Sequence, residues 1–134
     1  YELLDASSIV TPNETETYLL TGILPDTAEK AAQAAIKLLQ KGAHAVVIKM
    51  GHLGAFWHDG NNSAFVPSFK VNAIDTVAAG DCFNAGLAVA LSQNAPLAKA
   101  VKYASACGAL ATTVKGAADA APSKHDVDVL LSSN

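Results

Sequence analysis

The chain has little of what marks several large classes of protein. Its 134 residues include two cysteines, one tryptophan and nine basic residues, against twelve acidic ones. Because nucleic-acid phosphates require a strongly basic surface, a formal charge of -3 argues against nucleic-acid binding. No stretch reaches the ~18 uncharged apolar residues of a membrane span, and no signal peptide is recognisable. We therefore expect neither a nucleic acid nor a membrane as a partner.

Cysteine is scarce, and its placement suggests no bridge or metal site. Cys82 and Cys107 show neither Cys-x-x-Cys spacing nor a neighbouring His/Cys cluster, so we expect two reduced thiols in a cytoplasmic protein.

Apolar residues, in contrast, make up 51% of the chain, which is typical of one folded domain over residues 1–134. The chain opens with Tyr1 in what reads as the tail of a helix (Glu2–Leu4), so we expect it to be a piece of a longer protein.

The spacing of apolar residues predicts alternating strands and helices. Ala45–Ile48 is a continuous apolar run, as in a strand buried on both faces of a parallel sheet. Residues 55–58 and 63–66 flank strong turn residues and predict a hairpin. The predicted elements are strands at 8–10 and 45–48, the hairpin, an extended piece at Phe69–Val71, and helices at 13–21, from Pro25 to Gly42, at 80–92, from Pro96 to 113, and at 124–131 capped by Ser123. This order predicts an α/β fold with a largely parallel sheet, flanking helices and an antiparallel edge hairpin.

The second of these helices has a regular apolar pattern. Six residues recur at helical spacing and predict its buried stripe: Ala28, Ala31, Ala32, Ala35, Ile36 and Leu39. The charged and polar residues between them are expected to face solvent.

The segment from Asp75 to Asp81 places small residues in a turn directly before a predicted helix. Without bulky side chains, a phosphate can approach the backbone closely. The first N–H groups of a helix have no partner within the helix, and the helix dipole adds partial positive charge there. The turn at Ala78, Ala79 and Gly80 therefore predicts an anion site.

Asp81, at the start of this helix, has two interpretations. A carboxylate beside a bound phosphate makes sense if it takes a proton from the hydroxyl that attacks the phosphate, which would make Asp81 a general base. The alternative is a plain helix cap, because aspartate is among the commonest N-cap residues. From the local pattern alone, the cap is the stronger interpretation.

Three segments together resemble the ribokinase (PfkB) family of carbohydrate kinases. Residues 75–87, Asp-Thr-Val-Ala-Ala-Gly-Asp-Cys-Phe-Asn-Ala-Gly-Leu, resemble the long C-terminal signature of that family. Residues 11–16, Thr-Pro-Asn-Glu-Thr-Glu, are similar to its Asn-x-x-Glu motif, and Lys115-Gly116-Ala117 to its nucleotide and cation loop. The resemblance implies a ribokinase-like three-layer α/β/α fold, of which this chain would be the C-terminal half.

The resemblance also implies catalytic roles. Asp81 would deprotonate the acceptor hydroxyl, and residues 78–80 would form an anion hole for the transferring phosphoryl group. Asn13 and Glu16 would order the magnesium–phosphate cluster through water, since Mg²⁺ keeps several of its waters. The structural alternative for this pair is a capping box, in which each side chain bonds the other residue's backbone, and the two roles are compatible.

Two further sets of residues take their roles from the resemblance. The nucleotide pocket would be shaped by Lys49, Gly51, Gly54, Ser105 and Gly108. Lys49 could contact phosphate or point to solvent, and Ser105 stands where the family often has Asn or His. A monovalent cation, usually K⁺, would be surrounded by the Asp75 carboxylate and the carbonyls of Val77, Ala111, Val114 and Gly116. The alternative for Asp75 is that it satisfies N–H groups of its own loop.

The activity that the resemblance implies is phosphoryl transfer from ATP to a primary hydroxyl of a sugar, with ribose favoured. The alternatives are a nucleoside, a fructose phosphate or a pyrimidine alcohol as acceptor, or a non-catalytic nucleotide-binding module. ATP, Mg²⁺ and K⁺ would be the cofactors, and the complete protein could form a homodimer. Because most of the family's sugar contacts lie in a longer N-terminal part, we expect this chain alone to be inactive.

Overall fold

The computed structural model describes residues 9–114 and 122–133, which fall into two compact units, one ending at Pro67 and the other starting at Ser68. The predicted helix tail at Glu2–Leu4 and the loop that contains Gly116 lie outside the described residues. Among the described residues, no helix combines the length and the apolar character needed to cross a membrane.

The first unit contains a four-stranded sheet and two helices. Its elements are β1 (Ile9–Val10), α1 (Glu14–Thr21), α2 (Ala28–Gln40), β2 (Ala45–Lys49), a 3-10 turn (Gly51–Leu53), β3 (Gly54–His58) and β4 (Ser63–Pro67). The strands lie in the order β1-β2-β3-β4, with β1 parallel to β2 and the other two pairings antiparallel. The predicted hairpin is confirmed. The described sheet is mixed rather than largely parallel, because only β1 and β2 are joined by a helical crossover long enough for parallel pairing.

The core of the first unit is centred on β2, whose residues Ala45–Ile48 are 0% exposed, as predicted for a strand covered on both faces. Helix α2 packs on this core through Ala31, Ala34, Ala35 and Leu38. The predicted stripe is wrong in part, since Ala28 is exposed and Ile36 is 47% exposed. Alanines occupy several faces of this helix, so the spacing alone did not decide which face is buried.

The ends of the two helices follow from their capping residues. Helix α2 begins at Ala28 rather than at Pro25, because the Thr27 hydroxyl accepts the N–H of Lys30 at 3.1 Å and so makes Thr27 the N-cap. Helix α1 ends where predicted, at Gly22, whose φ of 76° is left-handed.

The second unit consists of α3 (Ala79–Ser92), α4 (Leu97–Ala111) and α5 (Lys124–Ser133). Residues 69–71 form no strand, and the side chain of Phe69 instead packs in a core cluster with Cys107 and Val127. The predicted cap of α5 is confirmed, since the Ser123 hydroxyl accepts the N–H of Asp126 at 3.1 Å.

Helices α3 and α4 approach each other closely through two glycines. A Cβ atom built on Gly86 would lie 2.7 Å from Cys107 Sγ and 3.3 Å from the Cα of Ala104. A Cβ atom built on Gly108 would lie 3.1 Å from the carbonyl oxygen of Ala79. The first turn of α3 therefore lies directly against the backbone of α4.

Candidate active site

In the first unit, the segments that follow β1 and β2 lie at the same edge of the sheet, because the two strands run parallel. The N–H of Lys49, the last residue of β2, donates to the carbonyl oxygen of Pro12 at 2.9 Å. This bond joins the start of α1 to the end of β2. The structure thus brings the Asn13–Glu16 segment and the Lys49–Gly54 turn together at one edge of the sheet, and ligands of open parallel sheets bind at such strand ends.

Asn13 and Glu16 form the capping box. The Asn13 side-chain oxygen accepts the N–H of Glu16 at 2.8 Å, and Glu16 Oε1 accepts the N–H of Asn13 at 3.0 Å. The structural alternative for this pair is confirmed. Since a carboxylate has two oxygens and each can accept more than one hydrogen bond, a role for Glu16 toward hydrated Mg²⁺ is compatible with the cap and stays a prediction.

The turn after β2 has a shape that requires glycine. Gly51 has a φ of 60° and Gly54 a φ of 131°, both in the region that disfavours a side chain. The N–H of Met50 donates to the carbonyl oxygen of Gly54 at 2.8 Å, which closes the turn. A Cβ atom at Gly51 would also lie 3.0 Å from Glu14 Oε1. Glu14 therefore lies against this turn, although it was not among the predicted site residues, and its only signal in the sequence is a second acidic residue beside Asn13.

In the second unit, Asp81 is not an N-cap. Helix α3 begins at Ala79, its N-cap is Ala78, and no side chain makes a capping hydrogen bond. Asp81 is therefore the third helical residue, and the cap interpretation favoured by the local pattern is wrong. Its side chain is exposed, and among the residues that the structure describes it makes no hydrogen bond or ion pair.

The N–H groups at the start of α3 are not equivalent. The N–H of Ala79 donates to the carbonyl oxygen of Thr76 at 3.2 Å, and that of Cys82 donates to Ala78 at 3.0 Å. Those of Gly80 and Asp81 have no acceptor within the described part of the chain. A Cβ atom on Gly80 would meet nothing within 4 Å, so the space over this turn is open. Such free N–H groups at the positive end of a helix favour an anion.

Asp75 lies in a loop that is tied to the end of α4. The carbonyl oxygen of Thr112 accepts the N–H of Ile74 at 2.6 Å and that of Asp75 at 2.9 Å. Asp75 Oδ1 accepts the N–H of Val77 at 3.0 Å, which confirms that this carboxylate satisfies its own loop. The sequence reasoning did not single out Thr112, because a carbonyl acceptor leaves no mark in the side-chain pattern.

The same loop contacts the last turn of α4. The buried side chains of Ala78 and Ala111 pack together, with Cys82 against them. A carboxylate and the negative end of a helix dipole thus lie in one region, which suits a cation. Val114 follows α4 within the described residues, whereas the predicted Gly116 carbonyl lies outside them.

The two predicted nucleotide-site residues on α4 differ in their surroundings. Gly108 faces Ala79 and Phe83, so the contact that the structure records for it is packing against α3. Ser105 is 9% exposed, and its hydroxyl has no hydrogen-bond partner among the described residues. A buried hydroxyl without a partner is costly, by about 1–3 kcal/mol, so a bound group that hydrogen-bonds it would be stabilised.

The two thiols of the second unit are poor nucleophiles. Burial, and then the charge of Asp81, raise the pKa of Cys82, while burial and the nearby Cys82 raise the pKa of Cys107 to about 11. Both cysteines are free, and the neutral thiol is the unreactive form. Across the described ranges, no group of three or more His, Cys, Asp or Glu side chains could hold a metal ion directly.

Comparison with known proteins finds curated relatives that match most of this chain. A ribokinase of Haemophilus influenzae is 38% identical over 125 residues, which are 93% of this chain and 41% of that protein. A deoxyribokinase of Salmonella typhi is 37% identical over 123 residues, or 92% of this chain and 40% of that protein. The chain thus spans about two fifths of the length of the curated relatives it matches.

Solved structures show the same fold. The structure of an Arabidopsis thaliana ribokinase complexed with ribose and ATP gives a TM-score of 0.84 at 33% identity, over 92% of this chain and 40% of that one. Phosphofructokinase-2 of Escherichia coli in complex with potassium gives 0.83 at 27% identity, over 93% of this chain and 40% of that one. The ribokinase-like α/β fold class is therefore confirmed, with this chain corresponding to part of the domain.

The family follows from the match along the chain. The model of the pfkB family of carbohydrate kinases matches residues 1–124. The chain belongs to the pfkB family of carbohydrate kinases, and the resemblance noted from its sequence motifs is confirmed.

Proposed function

We propose that the full-length protein transfers a phosphoryl group from ATP to a hydroxyl group of a sugar, and that ribose is the favoured acceptor. Family membership supports the reaction class, and the relatives named ribokinase support the acceptor. The observation that carries the proposal is the start of α3, where Asp81 has no partner among the described residues and lies beside two N–H groups that have no acceptor there.

The chemistry assigned to this helix start has two parts. The N–H groups of Gly80 and Asp81 would donate to oxygens of the transferring phosphoryl group and stabilise the charge that develops there. The Asp81 carboxylate would accept the proton of the attacking hydroxyl as the new O–P bond forms and the bond to ADP breaks. Because Asp81 is the third helical residue, its carboxylate is free to do so without breaking a cap.

Magnesium is assigned to the first unit. The oxygens of Asn13 and Glu16 are hard donors of the kind that suit Mg²⁺, and their capping bonds leave lone pairs that can accept from its water shell. When bound, the ion would neutralise charge on the ATP phosphates. The turn from Gly51 to Gly54 and the adjoining Lys49 would contact the nucleotide, and Lys49 adds positive charge at this edge of the sheet.

A monovalent cation is assigned to the second unit. The Asp75 carboxylate and the carbonyl end of α4 provide oxygen donors and partial negative charge, and Val77, Ala111, Val114 and Gly116 would add carbonyl oxygens. A distant relative of the same fold is described in complex with potassium, which supports K⁺ as the ion.

Three finer assignments are also proposed. The protein would act in the cytoplasm, where its two free thiols stay reduced, and the complete protein could form a homodimer. Ser105 would contribute its buried hydroxyl to the nucleotide pocket.

The acceptor can be tested directly. The full-length protein would be assayed for ADP release with ribose, deoxyribose, fructose 6-phosphate, a nucleoside and a hydroxymethylpyrimidine. The proposal expects the highest kcat/KM with ribose. A higher value with deoxyribose would move the protein to the acceptor class of its deoxyribokinase relative, and binding of ATP without turnover of any acceptor would favour a non-catalytic nucleotide-binding module.

A further inference from the structure

The acidic residue that lies against the turn after β2 is Glu14, and it is distinct from the motif glutamate, Glu16. Glu14 is the first residue of α1, and its Oε1 atom lies 3.0 Å from the point where a Cβ atom of Gly51 would be. Glu16 is the third residue of α1, and one of its oxygens is held by the N–H of Asn13 at 3.0 Å. The two carboxylates therefore have different surroundings within one helical turn.

No partner among the residues that the structure describes explains the position of the Glu14 carboxylate. Within the described part of the chain it makes no hydrogen bond or ion pair, although it is an exposed side chain that could turn to solvent. It instead lies over Gly51, whose missing side chain leaves room for it. The hydrogen bond from Lys49 to Pro12 joins the backbones of the two segments, which keeps the Glu14 side chain within reach of the turn.

A carboxylate in this place has a predictable effect on a polyphosphate. It repels bare phosphate oxygens, because like charges at close range disfavour each other. It attracts the water shell of a divalent cation, whose bound waters are strong hydrogen-bond donors and are often held by carboxylates that do not touch the ion. The same side chain would thus favour the metal complex of the nucleotide and disfavour the nucleotide without metal.

We propose that Glu14 is a positioning residue that makes nucleotide binding depend on Mg²⁺, by accepting hydrogen bonds from the water shell of the ion at the Gly51 turn. This inference rests on the proposed function, since it assumes that this edge of the sheet receives the ATP phosphates. In this account Glu14 is a second carboxylate beside the two residues of the Asn-x-x-Glu motif. Its role is to favour the metal-bound nucleotide over the free nucleotide.

The test is an equilibrium measurement and needs no turnover. The dissociation constant of ATP would be measured by calorimetry for the full-length protein without sugar, once with excess Mg²⁺ and once with EDTA. For Glu14→Gln, we expect about tenfold weaker binding of Mg·ATP, as is typical when a group that orients a metal ligand is lost. Binding of metal-free ATP should be unchanged or tighter, because one repelling charge is gone. The dissociation constant of metal-free ATP divided by that of Mg·ATP should therefore fall at least tenfold.

Matched controls separate this role from a structural one. Glu29→Gln makes the same change in the first turn of α2, at another exposed glutamate, and should leave both constants as in the wild type. Glu14→Ala should reproduce the lower ratio of Glu14→Gln, and the unfolding midpoint of each variant would be recorded beside its binding constants.

The outcomes distinguish this inference from the proposed function. If Glu14→Gln changes both constants by the same factor, or changes neither, then Glu14 does not select the metal complex and the inference is wrong, while the kinase proposal stands. If the wild-type protein binds ATP in neither condition, the proposed function itself fails.

Discussion

The contact between α3 and α4 predicts that the two glycines in it cannot be exchanged for alanine without cost. At a helix position without close neighbours, Gly→Ala stabilises the folded protein by about 1 kcal/mol, because alanine has the higher helix propensity. At Gly86 the new Cβ would lie 2.7 Å from Cys107 Sγ, 3.1 Å from Cys107 Cβ and 3.3 Å from Ala104 Cα. One of these atoms is backbone and cannot rotate away, so α3 and α4 must separate.

The size of the effect follows from the two opposing contributions. Overpacking of a core typically costs about 1–3 kcal/mol, and three close contacts place Gly86→Ala at the upper end of that range. After the gain in helix propensity, we expect a net loss of about 1–2 kcal/mol of unfolding free energy. Gly108→Ala has a single contact below ordinary distance, at 3.1 Å to the carbonyl oxygen of Ala79. Its net effect should be about 0–1 kcal/mol, because the propensity gain offsets most of the strain.

Urea unfolding of the full-length variants would measure both values. The Cys107→Ala background is the matched control, since it removes the sulfur atom that is the nearest contact of the new methyl group. Gly86→Ala should cost less in that background than in the wild type. If Gly86→Ala were as stable as the wild type, or if its cost were unchanged by Cys107→Ala, the close approach of the two helices would be wrong.

Two further predictions concern the cation and the buried thiol. Because the Asp75 loop and the end of α4 form an oxygen-rich, partly negative region, the kinase activity of the full-length protein should be higher in potassium than in sodium-only buffer, and equal rates would count against a K⁺ site there. The pKa of Cys107 is raised from 9.0 to about 11, so the folded state favours the neutral thiol. The contribution of this raised pKa to the free energy of unfolding is complete below pH 9. It decreases as the pH rises from 9 to about 11, by on the order of 2 kcal/mol. Urea unfolding at several pH values should show this loss in the wild type and a smaller one in Cys107→Ala, and identical pH profiles would refute it.

The features that the sequence predicted best are encoded by few neighbouring residues. The capping box at Asn13 and Glu16 needs only two side chains at the right spacing, and Gly22 ends α1 by a conformation that glycine adopts easily. The hairpin follows from turn residues, of which Asp59 accepts the N–H groups of both Asn61 and Asn62. Local chemistry of this kind leaves a direct mark in the sequence.

The features that were missed depend on groups distant in sequence or on the backbone. Because alanines occupy several faces of α2, the spacing of apolar residues did not predict which face packs on β2. The local pattern before α3 favoured Asp81 as a cap, whereas it is the third helical residue. The packing of Gly108 against Ala79 is a contact between residues distant in sequence, which the pattern did not indicate. The bond that ties Asp75 to Thr112 uses only backbone atoms, so no side-chain pattern could have indicated it.

The measurement that tests the central claim most directly is the effect of Asp81→Asn on the full-length protein. Asn has nearly the same shape but cannot accept a proton at neutral pH, and Asp81 makes no hydrogen bond within the described residues that the change would break. We predict that kcat falls by a factor on the order of 10²–10⁴, while the dissociation constant of Mg·ATP and the unfolding midpoint stay close to those of the wild type. If kcat of Asp81→Asn remained within a few-fold of the wild type, Asp81 would not be the catalytic base.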